Sequence, residues 1–164
     1  MTTLTIATPD EMAALGARLA DELRAGDILA LNGELGAGKT TLTRGLGAAL
    51  GVRGTVASPT FVLARTHQRL SGGAPLVHVD AYRLSSPAEL DDLDIDYAAS
   101  IVVVEWAAGM LDGLSEDWLE VNIARPVGAG DSDVVDASDD GDDAEPREVT
   151  ITGHGTRWVD FLLR

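Results

Sequence analysis

Residues 33–41, Gly-Glu-Leu-Gly-Ala-Gly-Lys-Thr-Thr, constrain this chain more than any other stretch. They follow the pattern G-x-x-x-x-G-K-T without a mismatch. An unbroken apolar run, Ile28 to Leu31, precedes them, and Lys39 to Leu50 reads as a helix with Gly51 past its end. A short apolar run without alternation predicts a strand buried on both faces, as in a parallel sheet. Glycines let a backbone curl so that several N–H groups converge on one anion. The helix start adds its positive dipole end. The Lys39 side chain can reach the β and γ phosphates of a nucleotide, and the Thr40 hydroxyl can ligate a magnesium ion that bridges them. The candidate nucleotide-binding residues of this Walker A loop are therefore Gly33, Glu34, Leu35, Gly36, Ala37, Gly38, Lys39, Thr40 and Thr41. Lys39 is also the only lysine in the chain, which suits a position that needs a flexible point charge.

The same count bears on the base. An Asn-Lys-x-Asp guanine motif needs a second lysine, and no Asp-x-x-Gly is present to serve as a γ-phosphate switch. ATP is expected over GTP. An ATPase of this kind also needs a carboxylate at the end of a neighbouring strand. Asp80, after Leu76-Val-His-Val79, and Glu105, after Ile101-Val-Val-Val104, are the candidates. Asp80 could act as the Walker B acid, and Glu105 could hold magnesium through water or orient the attacking water. Each could equally cap a following helix, a role less fitting for two acids beside one phosphate loop.

The rest of the chain reads as one α/β domain over residues 1–164, a central, mainly parallel sheet flanked by helices, with antiparallel strands added late. Thr8-Pro-Asp-Glu11 predicts a capped helix start with a capping box, followed by Met12, Leu15, Leu19 and Leu23 at helical spacing. Strands are expected at Phe61 to Thr66, Leu76 to Asp80, Ile101 to Val104, Trp118 to Ala124 and Glu148 to Thr152. Ser86-Pro-Ala-Glu89 predicts a second capped helix, and Arg157 to Leu163 a terminal one. Residues 128–147, rich in Asp, Gly, Ser and Ala, have too little apolar content to offset the entropy of ordering and are expected to be a disordered surface loop.

Net charge is −15, of which −8 comes from nine acids against Arg147 within residues 128–148. An acidic chain does not draw nucleic-acid phosphates to itself, so RNA is expected to be met only through a partner. With no cysteine, disulfides and Cys-based zinc sites are excluded. No apolar run is long enough for a membrane helix and the N-terminal residues lack a basic, then apolar, leader; a cytoplasmic location is the expectation.

Four segments in order, Gly33 to Thr41, Ser58-Pro-Thr-Phe61, His78-Val-Asp-Ala-Tyr-Arg-Leu84 and Val104-Glu-Trp106, resemble the bacterial TsaE (YjeE) family. The resemblance spans roughly residues 8 to 125 and the last strand. It implies a P-loop NTPase fold and a weak, partner-dependent ATPase needed for threonylcarbamoyl-adenosine modification of tRNAs that read codons starting with A. It also implies a heterodimer of TsaD- and TsaB-type proteins as partner, with ATP and magnesium bound. On this resemblance Thr60 would lie in a switch-like loop near the γ-phosphate, Asp80 would be the acid of the His-x-Asp-x-Tyr-Arg segment, and Glu105 and Trp106 would lie near magnesium and nucleotide. Thr40, Asp80 and Glu105 would be the metal residues, and Lys39, Thr60, Asp80 and Glu105 the catalytic ones. Ala107, Ala108 and Gly109 depart from the family, where many members carry a second acid.

From the residues alone several roles stay open. Trp106 could stack on nucleotide, meet a partner or fill core; Thr60 is a turn residue or a γ-phosphate sensor. His78 reads as a structural hydrogen-bonder, and His67 and His154 as surface residues without partners. Tyr82 and Arg83 lie on a partner surface, or Arg83 pairs with the acids from Asp91 to Asp96. A small-molecule kinase and a non-catalytic nucleotide sensor compete with the ATPase; the acidic insertion makes a poor phosphate-closing lid. Loop insertions cost little, so deleting residues 129–146 is expected to leave ATPase activity intact, and a large loss in a steady-state assay would give the insertion a function.

Overall fold

Strands that are apolar throughout must be covered on both sides, and that requirement sets the layering here. The structure, a computed structural model, describes residues 1–57, 63–125 and 145–163. In chain order the elements are β1 (Thr2–Ile6), α1 (Pro9–Glu22), β2 (Ile28–Gly33), α2 (Lys39–Leu50), β3 (Ala64–His67), β4 (Leu76–Asp80), α3 (Pro87–Asp91), β5 (Ile101–Glu105), β6 (Trp118–Ala124) and β7 (Arg147–His154). Among the described residues these strands form one sheet in the order β1-β7-β6-β2-β5-β4-β3. β6, β2, β5 and β4 run parallel. β7 and β1 on one side, and β3 on the other, are antiparallel additions. The α/β class expected from sequence is the one observed, with a parallel centre and antiparallel strands late in the chain; β6 joins the two, parallel to β2 and antiparallel to β7.

Period-two alternation divides the strands between two cores. Leu29, Leu31, Ile101, Val103, Leu76 and Val121 pack under α1 and α2. Ile28, Ala30, Val77, Val79, Val102 and Val104 face the other way, under α3 and the turns after β5. His78, Asp80 and Glu105 share parity with the first set, so they lie on the α1/α2 face. Asp80 pairs in register with Glu105, and Glu105 with Leu31.

α1 starts as expected, with the Glu11 N–H donating to Thr8 Oγ1 at 3.1 Å. The Glu11 carboxylate accepts from the Ala7 N–H at 2.7 Å, one residue earlier than in a capping box. α3 is a single short turn, and Ser86 makes no side-chain cap; Glu89 instead accepts from the Ser85 N–H and hydroxyl, which holds its carboxyl below the ordinary value.

The expected terminal helix at Arg157 to Leu163 is absent. Residues 156–160 are turns, because their N–H groups go elsewhere: Arg157 donates to Asp117 Oδ1 at 3.0 Å, and Trp158 and Phe161 donate three residues back. The segment is pinned by the Arg157 guanidinium, which reaches Asp27 Oδ1 and Oδ2 at 3.3 and 3.1 Å and the Glu22 carbonyl at 2.9 Å. Trp158, 2 % exposed, plugs the core beneath it. β1 was not anticipated; only Leu4 and Ile6 point inward from it. The Phe61–Thr66 strand is observed as β3 from Ala64, its first residues lying outside the described ones, as does almost all of the acidic loop. No described helix is long and apolar enough to cross a membrane.

α1 and α2 touch backbone to backbone. A Cβ on Gly16 would stand 2.1 Å from the Leu42 carbonyl oxygen, and one on Gly45 2.1 Å from that of Ala13. A methyl group at either position has to push the helices apart. Overpacking costs about 1–3 kcal/mol, and a 2.1 Å approach to rigid backbone belongs in the upper part, about 2–3 kcal/mol, against roughly 1 kcal/mol regained from helix propensity. Gly45→Ala and Gly16→Ala are each expected to lower the melting temperature, by about 2–8 °C for a net loss of about 1–2 kcal/mol at this chain length. Unchanged thermal denaturation in both would show that the contact tolerates separation.

Candidate functional site

β2 ends at Gly33 and α2 begins at Lys39, so the loop between them must reverse within a few residues. Gly36 and Gly38 make this possible with φ of 77° and 115°, a region that L side chains rarely adopt. Gly38 is the N-cap of α2 and supplies no side-chain hydrogen bond, which leaves the first-turn N–H groups directed at the loop. The geometry is that of an anion cradle.

Lys39 is only 6 % exposed. Its Nζ donates to the Gly33 and Glu34 carbonyls at 2.6 and 2.9 Å and lies 4.2 Å from the centre of the Trp106 ring. Burial pushes its pKa below the ordinary lysine value, while the Glu105 and Asp80 carboxylates act in the opposite sense.

The acids arrive from the adjoining strand ends. Asp80 Oδ1 accepts from the Tyr82 N–H at 3.0 Å, and the Ala81 N–H donates to the Glu105 carbonyl at 3.0 Å, tying the turn after β4 to β5. Glu105 is 2 % exposed, and its Oε1 has no hydrogen-bond partner among the described residues. Trp106 breaks the strand with φ of 59°, its N–H donating to the Leu31 carbonyl at 2.9 Å. This left-handed turn swings the indole out of the sheet and over Lys39, with the Tyr82 ring 5.1 Å away.

Lys39, Thr40, Thr41, Asp80, Glu105 and Trp106 thus line one cavity of about 520 Å³, together with Leu35, Gly36 and Gly38. Tyr82 and Arg83 line it too; among the described residues Arg83 makes no ion pair, with the acids of residues 91–96 or with any other. Thr60 lies outside the described residues. Gly33 and Glu34 contribute their carbonyls to Lys39, and Ala37 is buried against the core.

Sequence reasoning missed a smaller cavity of about 80 Å³ that adjoins the same loop. It is shared by Thr8, Pro9 and Met12 with Gly36, Gly38 and Thr41. Thr8 carried a visible signal, but its capping role alone explained it. His154 also differs from expectation. Its Nε2 lies 2.9 Å from Glu120 Oε2 and its ring stacks on Trp118 at 4.5 Å. His67 is partly buried, and burial, then His78 and Arg65, push its pKa below the ordinary value.

Known proteins resemble this chain in sequence and in fold. Residues 6–130 match the family described as "Threonylcarbamoyl adenosine biosynthesis protein TsaE". The chain is 56 % identical over 151 residues to a Streptomyces coelicolor protein named "tRNA threonylcarbamoyladenosine biosynthesis protein TsaE", covering 90 % of this chain and 94 % of that one. A Bacillus subtilis protein of the same name is 35 % identical over 153 residues, covering 92 % and 84 %. Among solved structures, the crystal structure of Bacillus subtilis YdiB superposes with a TM-score of 0.70 at 30 % identity, covering 96 % of this chain and 88 % of that one. The chain therefore belongs to the TsaE family.

Proposed function

We propose that this protein binds ATP with magnesium and hydrolyses it as a subunit of the system that makes threonylcarbamoyladenosine in tRNA. One observation carries the reading: a lysine, a threonine hydroxyl and two strand-end carboxylates meet around a single cavity at the mouth of a glycine loop. The triphosphate would occupy the cradle between the two cavities, with its phosphoryl end toward Lys39, Asp80 and Glu105 and its nucleoside toward Thr8 and Met12.

The donor set fits magnesium. No three His, Asp or Glu residues converge among the described residues, so the protein offers no cage of its own. That suits an ion held by one hydroxyl, one or two carboxylates and the phosphates themselves. Thr40, Asp80 and Glu105 would hold it, and the bound ion would draw charge from the phosphate oxygens. Lys39 would exchange the Gly33 and Glu34 carbonyls for phosphate oxygens. Glu105, a buried strand-end carboxylate that lines the cavity, is suited to accept a proton from, or orient, the attacking water.

The family supplies the wider role. The relatives are named for tRNA threonylcarbamoyladenosine biosynthesis. TsaD- and TsaB-type proteins are the proposed partners, and the net charge of −15 favours contact with tRNA through them rather than directly.

Calorimetry with a non-hydrolysable ATP analogue and magnesium, and ATPase assays with and without TsaD- and TsaB-type proteins, test this. Lys39→Ala is expected to weaken nucleotide binding at least ~10-fold, because charge-assisted hydrogen bonds are worth about 1.5–3 kcal/mol each. Folded wild-type protein that takes up no nucleotide would end the reading. Glu105→Gln is expected to cut turnover by roughly 100-fold while changing affinity little, the scale of lost acid–base assistance. Wild-type turnover in that variant would remove Glu105 from the chemistry.

A further inference from the structure

His78 stands in the middle of β4, wholly inaccessible to solvent, on the sheet face covered by α1 and α2. Its Nε2 is 3.4 Å from Glu105 Oε1. That is within ion-pair distance, but neither ring nitrogen has a hydrogen-bond partner with good geometry among the described residues, and neither does Glu105 Oε1. Of the neighbours on the same face, Leu76, Ile101 and Val103 are apolar, while Arg65 and His67 of β3, Asp80 and Glu105 are polar. A leucine or valine would pack here without an unmet polar group, so the imidazole is not explained by core filling. The group within ion-pair distance of it is a carboxylate oxygen, which can only accept. The favourable tautomer is therefore the one with the proton on Nε2.

We propose that His78 is a positioning residue for Glu105: its Nε2–H steadies Oε1 and fixes the side chain so that the other carboxylate oxygen addresses the cavity beside Lys39 and Thr40. This rests on the proposed role of Glu105 in ATP hydrolysis. The buried pair follows a general arrangement in which a reacting group is held by a second group that never touches substrate. The 3.4 Å separation closes to a hydrogen bond with a small shift of either side chain, as expected of a site that tightens around its ligand.

Two measurements on the full chain test it. The first needs no nucleotide. With only three histidines in the chain, long-range ¹H–¹⁵N spectra can assign the His78 ring; the Nε2–H tautomer is expected, with a resonance that moves in Glu105→Gln. A ring protonated on Nδ1 alone would overturn the inference. The second compares His78→Leu and His78→Gln with TsaD- and TsaB-type proteins present. Leu lacks the donor; the Gln amide nitrogen stands near the imidazole Nε2. His78→Leu is expected to lower kcat at least ~10-fold, the scale of a misplaced catalytic group, with the analogue Kd unchanged within about threefold. His78→Gln is expected to recover most of the rate. Undiminished kcat in His78→Leu, or a His78→Gln protein as slow as His78→Leu, would overturn it. Should His78→Leu not fold, His78→Asn, whose amide is too short to reach Glu105, takes its place. Wild-type protein that hydrolyses no ATP in this assay would instead refute the hydrolase reading itself, whatever tautomer the ring shows.

Discussion

An ammonium group almost wholly withdrawn from water is the interaction around which this structure is arranged. Leaving Lys39 buried and unpaired would be costly, and burial alone drives its pKa down. Two loop carbonyls, an indole face and two nearby carboxylates offset that cost. They come from three strand ends. The carbonyls are those of Gly33, the last residue of β2, and Glu34 just after it; Glu105 ends β5 and Trp106 follows it; Asp80 ends β4. The ammonium can be kept only if β2, β5 and β4 stay in register, since a one-residue slip would turn the carboxylates to the other face.

The helix that carries Lys39 is fixed just as firmly. Gly16 and Gly45 bring the α1 and α2 backbones into contact, so α2 is held against both α1 and the sheet. Behind it, Arg157 ties the C-terminal turns to Asp27, immediately before β2. This pair is nearly buried on the Asp27 side and two-pronged, with a third bond to the Glu22 carbonyl, so it escapes the weakness of most surface ion pairs. Sheet register, helix contact and C-terminal clamp all limit movement of the loop relative to the strand ends, which is the quantity that a phosphate site depends on.

What could be read from the sequence divides along the same lines. The α1 start, β2, the glycine loop, α2 and β5 each declare themselves within a dozen residues, through a cap, a run or a period. Asp80 and Glu105 were legible because they terminate such runs. Features that depend on distant partners were not. Arg157 and Asp27 are 130 residues apart, and nothing local marks them as a pair. Trp158 and Phe161 have the spacing of a helix face, yet the side chains of Asp117 and Trp158 set that backbone instead. Gly16 and Gly45 look like weak points in two helices until the helices are seen to touch there. Trp106, read as nucleotide stacker, partner contact or core, takes a left-handed backbone that no pattern foretells for an indole, and this is what places it over Lys39.

The resting contacts of Lys39 also bear on how strongly such a site can bind. In the proposed complex a phosphate would not meet a free ammonium. It would have to displace two carbonyls at 2.6 and 2.9 Å and draw the charge partly from beneath an indole. The bonds gained are therefore measured against bonds already made, and affinity reflects only the difference. Trp106 adds to that opposition, because a non-glycine residue at φ of 59° stores strain unless its surroundings hold it there. The Leu31 carbonyl, the Tyr82 ring and Lys39 itself are those surroundings. Were Lys39 to leave for a phosphate, one of the three supports of Trp106 would be lost. The indole and the Tyr82 ring beside it, both lining the cavity, are the groups whose contacts would then change.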